Sequence, residues 1–348
     1  MAAKGRSLEA FPDPILSATW GELGAVRRMA NMDGCWHAQV RLGYPVGGIE
    51  KDYERLVSDW VGEDTVLDLE FRAPQARGIP GASNIIAIAS GKGGVGKSTT
   101  AVNLALALDR IGAKSGILDA DIYGPSQGIM LGVADGRRPE VRDERYFVPV
   151  KAHGIEAMSM SMLVTDRTPM VWRGPMVSGA LRQLLEQSVW SDLDYLVVDM
   201  PPGTGDIQLT LSQSAPVGGA IIVTTPQDIA LADARKGIEM FSKVNIPILG
   251  IIENMSYFVC DACGRRHHLF GANGGERVAE EYGVELLGTL PLTPAIREQA
   301  DGGRPTVAAD PESDVAQSYM DCARRAVAAL WRSVASRAPP PSIRMVDA

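Results

Sequence analysis

The stretch GKGGVGKS, residues 91–98, decides the fold. It fits the phosphate-loop pattern G-x-x-x-x-G-K-[ST] without a mismatch. The apolar run NIIAIAS (84–90) leads into it, and STTAVNLALALDRIG (98–112) leads out. A strand that enters a glycine-rich loop, which then opens a helix, is the setting in which this pattern holds phosphate. Glycines let the backbone N–H groups of Gly93 to Lys97 converge on phosphate oxygens. The helix N-terminus adds a favourable dipole. Lys97 is expected to reach the β- and γ-phosphates, and Ser98 to ligate Mg²⁺ through its hydroxyl. The expected nucleotide-binding set is Gly91, Lys92, Gly93, Gly94, Val95, Gly96, Lys97, Ser98 and Thr99.

Outward from the loop, SGILDAD (115–121), DYLVVDMP (194–201), GGAIIVTTP (218–226), IPILGIIEN (246–254) and VELLGTLP (284–291) are short apolar runs without clean alternation. Strands of that kind are buried on both faces, as in a parallel sheet. Helical stretches separate several of them. Ala101, Leu104, Ala105, Leu108 and Ile111 form a stripe at helical spacing, with Gly112 as a C-terminal cap. DIALADARKGIEMFSKV (228–244) reads as a helix with Asp228 as its N-cap. The fold class is therefore α/β, a doubly wound and mostly parallel sheet with a phosphate loop. In such a sheet, strand C-terminal ends line the ligand crevice. Asp199 closes one strand and is expected close to Mg²⁺. Asp121, in preference to Asp119, is expected to orient the attacking water.

Residues 1–73 read differently. CWHAQVRLGY and TVLDLEFRA alternate like strands around the helical GGIEKDYERLVSDWV, which gives a small α+β domain. PQARGIPGAS (74–83) reads as a linker, 84–337 as the nucleotide-binding domain, and 338–348 as a flexible tail. The 348 residues are 45% apolar and 22% charged, ordinary for a globular protein. A net charge of −8 argues against broad nucleic-acid binding. No apolar run is long enough to span a membrane, and the start lacks a secretory signal. The expectation is a cytoplasmic protein with neither a nucleic-acid nor a membrane partner.

Cys260 and Cys263 form the one Cys-x-x-Cys pair, in YFVCDACGRRHHLFG. Three readings compete. The pair holds half of a [4Fe–4S] cluster, and a second subunit supplies the other two thiolates. Alternatively, it binds Zn²⁺ with one or both of His267 and His268. In the third reading it is a redox dithiol or an inert turn. Cys35 reads as a small buried side chain.

KGGVGKST, with Lys92 inside the loop, resembles the deviant Walker A of the MinD/ParA-like P-loop ATPases. That resemblance implies an ATP-sandwich homodimer in which Lys92 reaches the partner's nucleotide. LDADIYGPSQ (118–127), VDMPPGTGDIQLTL (198–211), TTPQDIALADARKG (224–237), IENMSYFVCDACGRRHHLFG (252–271) and LPLTPAIREQADGGRP (290–305) resemble the Mrp/NBP35 (ApbC-type) iron–sulfur carrier ATPases. This second resemblance implies slow ATP hydrolysis and a [4Fe–4S] cluster shared between two subunits at Cys260 and Cys263. It further implies delivery to apo iron–sulfur proteins, with cluster-assembly factors as further partners, and an adenine contact at Asn254. Residues 13–48 resemble a diverged MIP18-like domain. Where such domains carry Cys-Pro, this chain has Tyr44-Pro45. The rival reading is a positioning ATPase that binds membrane or DNA, with a structural zinc at the Cys pair. The arginine-bearing C-terminal helix region (314–337) keeps that rival open, although its alanine-rich face favours docking on the core.

Overall fold

The computed structural model describes residues 7–32, 35–62, 65–122, 124–134, 136–162, 174–205, 208–209 and 215–336. The expected tail, 338–348, lies outside them.

A small sheet comes first in the chain: β1 (Val26–Met32), β2 (Cys35–Leu42) and β3 (Thr65–Phe71). β1 and β2 are antiparallel. β3 returns parallel to β2 after the helix Glu50–Val61. The large sheet then begins with β4 (Ile85–Ala89) and β5 (Ser115–Asp119). β6 (Glu140–Arg142) and β7 (Tyr146–Val148) form a separate ribbon. β8 (Val150–Ala152), β9 (Ile155–Ser159), β10 (Tyr195–Asp199), β11 (Val217–Thr224), β12 (Ile248–Val259), β13 (Arg266–His267) and β14 (Leu286–Pro291) complete the large sheet. Its order is β13-β12-β11-β4-β10-β5-β9-β8, with β14 beside β12. All described pairings are parallel except those of β8 and β13.

The continuous apolar runs have a simple cause. On β4, Ile86 and Ile88 face one core, while Ile85, Ala87 and Ala89 face another. β10 divides Tyr195 and Val197 from Leu196 and Val198 in the same way. Side chains alternate across a strand, so a sheet covered on both faces needs an apolar residue at every position. β9 escapes that pattern reading, because its sequence, IEAMS, is poor in β-branched residues although all five are buried.

The helix Lys97–Arg110 departs from the expected stripe. Val102 and Leu106 are as buried as Ala101 and Leu104. The sheet covers one side of this helix, and the long helix Asp314–Ala335 covers the other. Gly112, at φ 105°, ends it as expected. Asp228 is the first residue of the helix Asp228–Lys243 rather than its cap, and Gln227 stands at the cap position. The helix Asp314–Ala335 buries Tyr319, Met320, Cys322, Val327 and Leu330, so its apolar face serves the core.

The N-terminal unit shares that core. Arg324, 5% exposed, donates from Nε to the Pro45 carbonyl (3.2 Å) and from Nη2 to the Gly47 carbonyl (2.8 Å). Gly47 N–H donates to the carbonyl of Ile111, just past the P-loop helix (3.2 Å). A Cβ on Gly43 would lie 2.1 Å from the Trp331 ring, so only glycine lets the two surfaces meet. The segment 74–83 is likewise tied down. Asn84 donates to the Pro74 carbonyl (2.6 Å) and accepts from Ala76 N–H (3.0 Å), and Ser83 N–H donates to Leu193 (2.8 Å). Cys35 is half-exposed at the start of β2, not buried.

Tyr44, the residue before Pro45, is fully buried. Its hydroxyl donates to Asp13 and lies 2.8 Å from the Tyr53 hydroxyl. Asp13 also accepts from Trp20 Nε1 (3.0 Å) and from the Ile15 and Leu16 N–H groups. Burial, with Tyr53 and Asp13 adding to it, pushes the Tyr44 phenol well above its ordinary range. Tyr44→Phe leaves this network one donor short and should cost about 1–3 kcal/mol. Urea unfolding measures that loss. An unchanged midpoint would show that the hydroxyl contributes nothing beyond the ring.

Candidate functional site

The P-loop turns on two glycines with positive φ, Gly94 (82°) and Gly96 (80°). A Cβ built on Gly93 or Gly94 meets nothing within 4 Å, so the loop presents bare backbone to open space. Gly91 and Gly96 have the opposite reason to be glycine. Their Cβ atoms would stand 2.2 Å from the Asp233 backbone and from Asn254 Nδ2. The loop is thus backed by protein and open in front, as a phosphate cradle requires. Lys92 is half-exposed, and its side chain has no polar partner among the described residues. Thr99 begins the helix interior, and its carbonyl accepts from Asn103 (2.9 Å).

Lys97 and Asp199 are 6% and 0% exposed, and Lys97 Nζ donates to Asp199 Oδ1. Lys97 Nζ also lies 3.2 Å from the Ser98 hydroxyl. β10 lies between β4 and β5, which puts Asp199 beside the loop and level with Asp119. Gln127, 1% exposed, donates from Nε2 to the Asp199 Oδ2 (2.8 Å) and to the Ser98 carbonyl (3.0 Å). Asp121 is 9% exposed and accepts from Gly124 N–H (3.3 Å). The structure therefore joins Lys97, Ser98 and Asp199 at the strand ends, with Asp121 two residues past Asp119, the residue level with Asp199. It adds Gln127 and Asp119, neither of which the sequence motif placed at the centre. Asp119 is fully buried and accepts from the N–H groups of Asp121, Ser126 and Gln127 and from the Ser159 hydroxyl.

Asn254 does not close a strand, because β12 continues to Val259. It sits behind the P-loop, where its Nδ2 donates to the Val95 carbonyl (2.9 Å). Met255 follows with φ 54°, and the β12–β14 register shifts between Glu253 and Tyr257. Past this kink β12 runs on to the cysteines. Cys260 N–H donates to Arg265 (3.0 Å), and Gly264 N–H to Cys260 (2.8 Å), with Gly264 at φ 69°. The turn aims the Ala262 and Cys263 N–H groups at the Cys260 sulfur, which lowers its thiol from the ordinary range. N–H groups directed at sulfur favour the thiolate, the form that binds metal. Cys263 is exposed. His268 Nδ1 donates to the Ser256 carbonyl (2.9 Å), and His267 lies on β13. Among the described residues, no group of three or more His, Cys, Asp and Glu side chains could hold a metal ion.

The family model "ParA: NUBPL iron-transfer P-loop NTPase" matches residues 81–327. The chain belongs to this family. A relative from Pseudomonas fragi, named iron-sulfur cluster carrier protein, is 66% identical over 249 residues, 72% of this chain and 87% of that one. One of the same name from Escherichia coli K12 is 48% identical over 337 residues, 93% of this chain and 91% of its own. That match takes in the N-terminal unit as well. Among solved structures, the nucleotide-binding protein of Archaeoglobus fulgidus in complex with ADP shares 39% identity at a TM-score of 0.59, over 67% of this chain and 90% of that chain. The Pyrococcus horikoshii septum site-determining protein MinD, complexed with Mg-ADP, shares 27% at 0.52, over 69% and 94%.

For an iron-transfer P-loop NTPase, nucleotide hydrolysis is the general activity. The positioning-ATPase alternative is not favoured, because the relatives that match most of the chain are cluster carriers. No helix among the described residues is long and apolar enough to cross a membrane.

Burial first, and the Asp199 charge second, raise the Asp119 carboxyl to about 7. In the unfolded chain it titrates near 4. Between these values the unfolded form is ionised while the folded form keeps its proton. Asp119 thus supports the fold fully below about pH 4, and that support is lost as pH rises to about 7. Asp119→Asn should flatten this part of the stability–pH curve, as measured by denaturant unfolding without nucleotide or Mg²⁺. An unchanged slope would assign the pH dependence to other groups.

Proposed function

We propose that the chain is an ATP-dependent iron–sulfur cluster carrier. Two copies hold a [4Fe–4S] cluster between their Cys260 and Cys263 pairs and pass it to apo iron–sulfur proteins. A cluster of this type takes four thiolates, and one chain offers two, so a two-fold axis completes the set. The observation that carries the reading is a single strand. β12 backs the P-loop with Asn254 and ends at the Cys260 turn.

The crevice suits Mg²⁺ and nucleotide. Its loop glycines leave open space in front, and a carboxylate, a hydroxyl and a lysine converge behind them. Ser98 and Asp199 would hold Mg²⁺, which would offset phosphate charge. Lys97, now on Asp199, turns to the β- and γ-phosphates. Asp121 orients the attacking water. Lys92 reaches the nucleotide of the partner copy, which makes hydrolysis depend on the dimer. Asn254 also contacts the base. Turnover is slow because nucleotide acts as a conformational signal. A phosphate drawn into the loop moves the Val95 carbonyl, and Asn254 passes the shift along β12 to the cysteines. A cytoplasmic setting, with assembly factors as donors and no membrane or nucleic-acid partner, completes the proposal.

Anaerobic reconstitution with iron and sulfide tests it. Wild type should hold about four irons per dimer, the content of one [4Fe–4S] cluster. Cys260→Ala and Cys263→Ala should lose stable cluster yet keep nucleotide binding. A Cys260→Ala protein that retains a full cluster, or a cluster carried by one isolated chain, would refute the shared site.

The coupling has its own test. Asn254→Leu removes the amide that grips the Val95 carbonyl. Cluster loading should be unchanged, while the effect of ATP on the rate of cluster transfer to an apo-ferredoxin should shrink several-fold. Such networks carry roughly 0.5–2 kcal/mol of coupling. Transfer that still responds fully to ATP would place the coupling outside β12.

A further inference from the structure

Gln127 is nearly sealed from solvent, and both protons of its amide are used. One goes to the Ser98 carbonyl and one to Asp199 Oδ2. Both partners only accept, so the amide orientation is fixed by chemistry. With Lys97 on Asp199 Oδ1, each oxygen of that carboxylate is held. Gln127 N–H donates to Asp119 Oδ2 (3.0 Å), which anchors the residue from behind. Its side chain thus sets the distance and rotation of Asp199 relative to Ser98, the two groups proposed to bind Mg²⁺.

A second observation points to what is missing. Gln127 Oε1 and the neighbouring Ser126 Oγ are buried without a hydrogen-bond partner among the described residues. An unmet buried acceptor is costly and needs a donor. The hydrogens of a water on Mg²⁺ are donors, and the carbonyl oxygen stands at the far end of an amide already bound to the metal-site carboxylate.

We infer that Gln127 is a positioning residue of the metal–nucleotide site. Its NH₂ group fixes Asp199 against Ser98, and its carbonyl oxygen accepts from a metal-held water. The inference rests on the nucleotide-hydrolase reading of the P-loop and concerns Mg²⁺ specifically. Its signature is a change in Mg²⁺ requirement without a matching change in Mg²⁺-free nucleotide affinity.

The test is a Mg²⁺ titration of the full-length protein with a fluorescent ADP, alongside the same nucleotide in excess EDTA. Outer-sphere groups that orient metal ligands usually change metal affinity by about 10–100-fold. Gln127→Leu should raise the half-saturating Mg²⁺ concentration about tenfold, with affinity in EDTA unchanged. Gln127→Met keeps the length without the amide and should behave alike, which covers a leucine variant that folds badly. Gln127→Asn should restore part of the wild-type Mg²⁺ requirement. A folded variant with wild-type Mg²⁺ dependence overturns the inference. So does an equal loss of affinity with and without Mg²⁺, which would make Gln127 a packing residue, and so does failure of both leucine and methionine variants to fold. Wild type that shows no Mg²⁺-dependent nucleotide binding would overturn the P-loop reading itself.

Discussion

The Lys97–Asp199 ion pair is the interaction on which the nucleotide site depends. It joins the first residue of the P-loop helix to the end of β10, and both side chains are withdrawn from water. Burying two charges is expensive and is tolerated when each is hydrogen-bonded as well as paired. Here Ser98 and Gln127 supply the extra bonds. Removing one partner alone would strand the other charge, at a cost of about 3–5 kcal/mol. The same arrangement keeps the lysine amine beside the Ser98 hydroxyl at the start of the helix. In the proposed function a phosphate competes with Asp199 for Lys97.

The cysteines stand at the other end of β12. This strand is longer than its neighbours because it outruns the sheet and pairs with β13 beyond the Met255 kink. Arg266 stacks over Tyr257 at 4.6 Å, and His268 bonds the Ser256 carbonyl, so the returning loop grips the strand it left. The Cys260 turn is therefore tied back to the strand that supports the P-loop, and Cys263 is exposed.

The N-terminal unit shows how a tertiary interface changes the meaning of a substitution. Read alone, Tyr44 in place of cysteine is a lost thiol. In the fold it is a buried phenol that satisfies Asp13 and packs against Trp331 at 5.8 Å. Arg324 and Ile111 complete a seam between this unit and the far end of the P-loop helix. The segment 74–83, which composition alone assigns to a linker, is held by Asn84 and Leu193.

Much of the nucleotide site was legible in the sequence. The P-loop is a contiguous motif, and its chemistry needs only eight adjacent residues and a helix start. Six runs with apolar residues at successive positions announced a sheet covered on both faces, and two of their ends carry Asp199 and Asp121. The Cys-x-x-Cys pair is also contiguous, and it lies in the turn that follows β12. Tertiary structure alone decided what joins these parts. Gln127 meets Asp199 across 72 residues, Asn254 meets Val95 across 159, and Arg324 meets Pro45 across 279. Local sequence encodes periodicity and short motifs, because those depend on near neighbours along the chain. Which strand lies beside which depends on the packing of the whole sheet, and the contacts that link the P-loop to β10, β12 and the N-terminal unit arise only there.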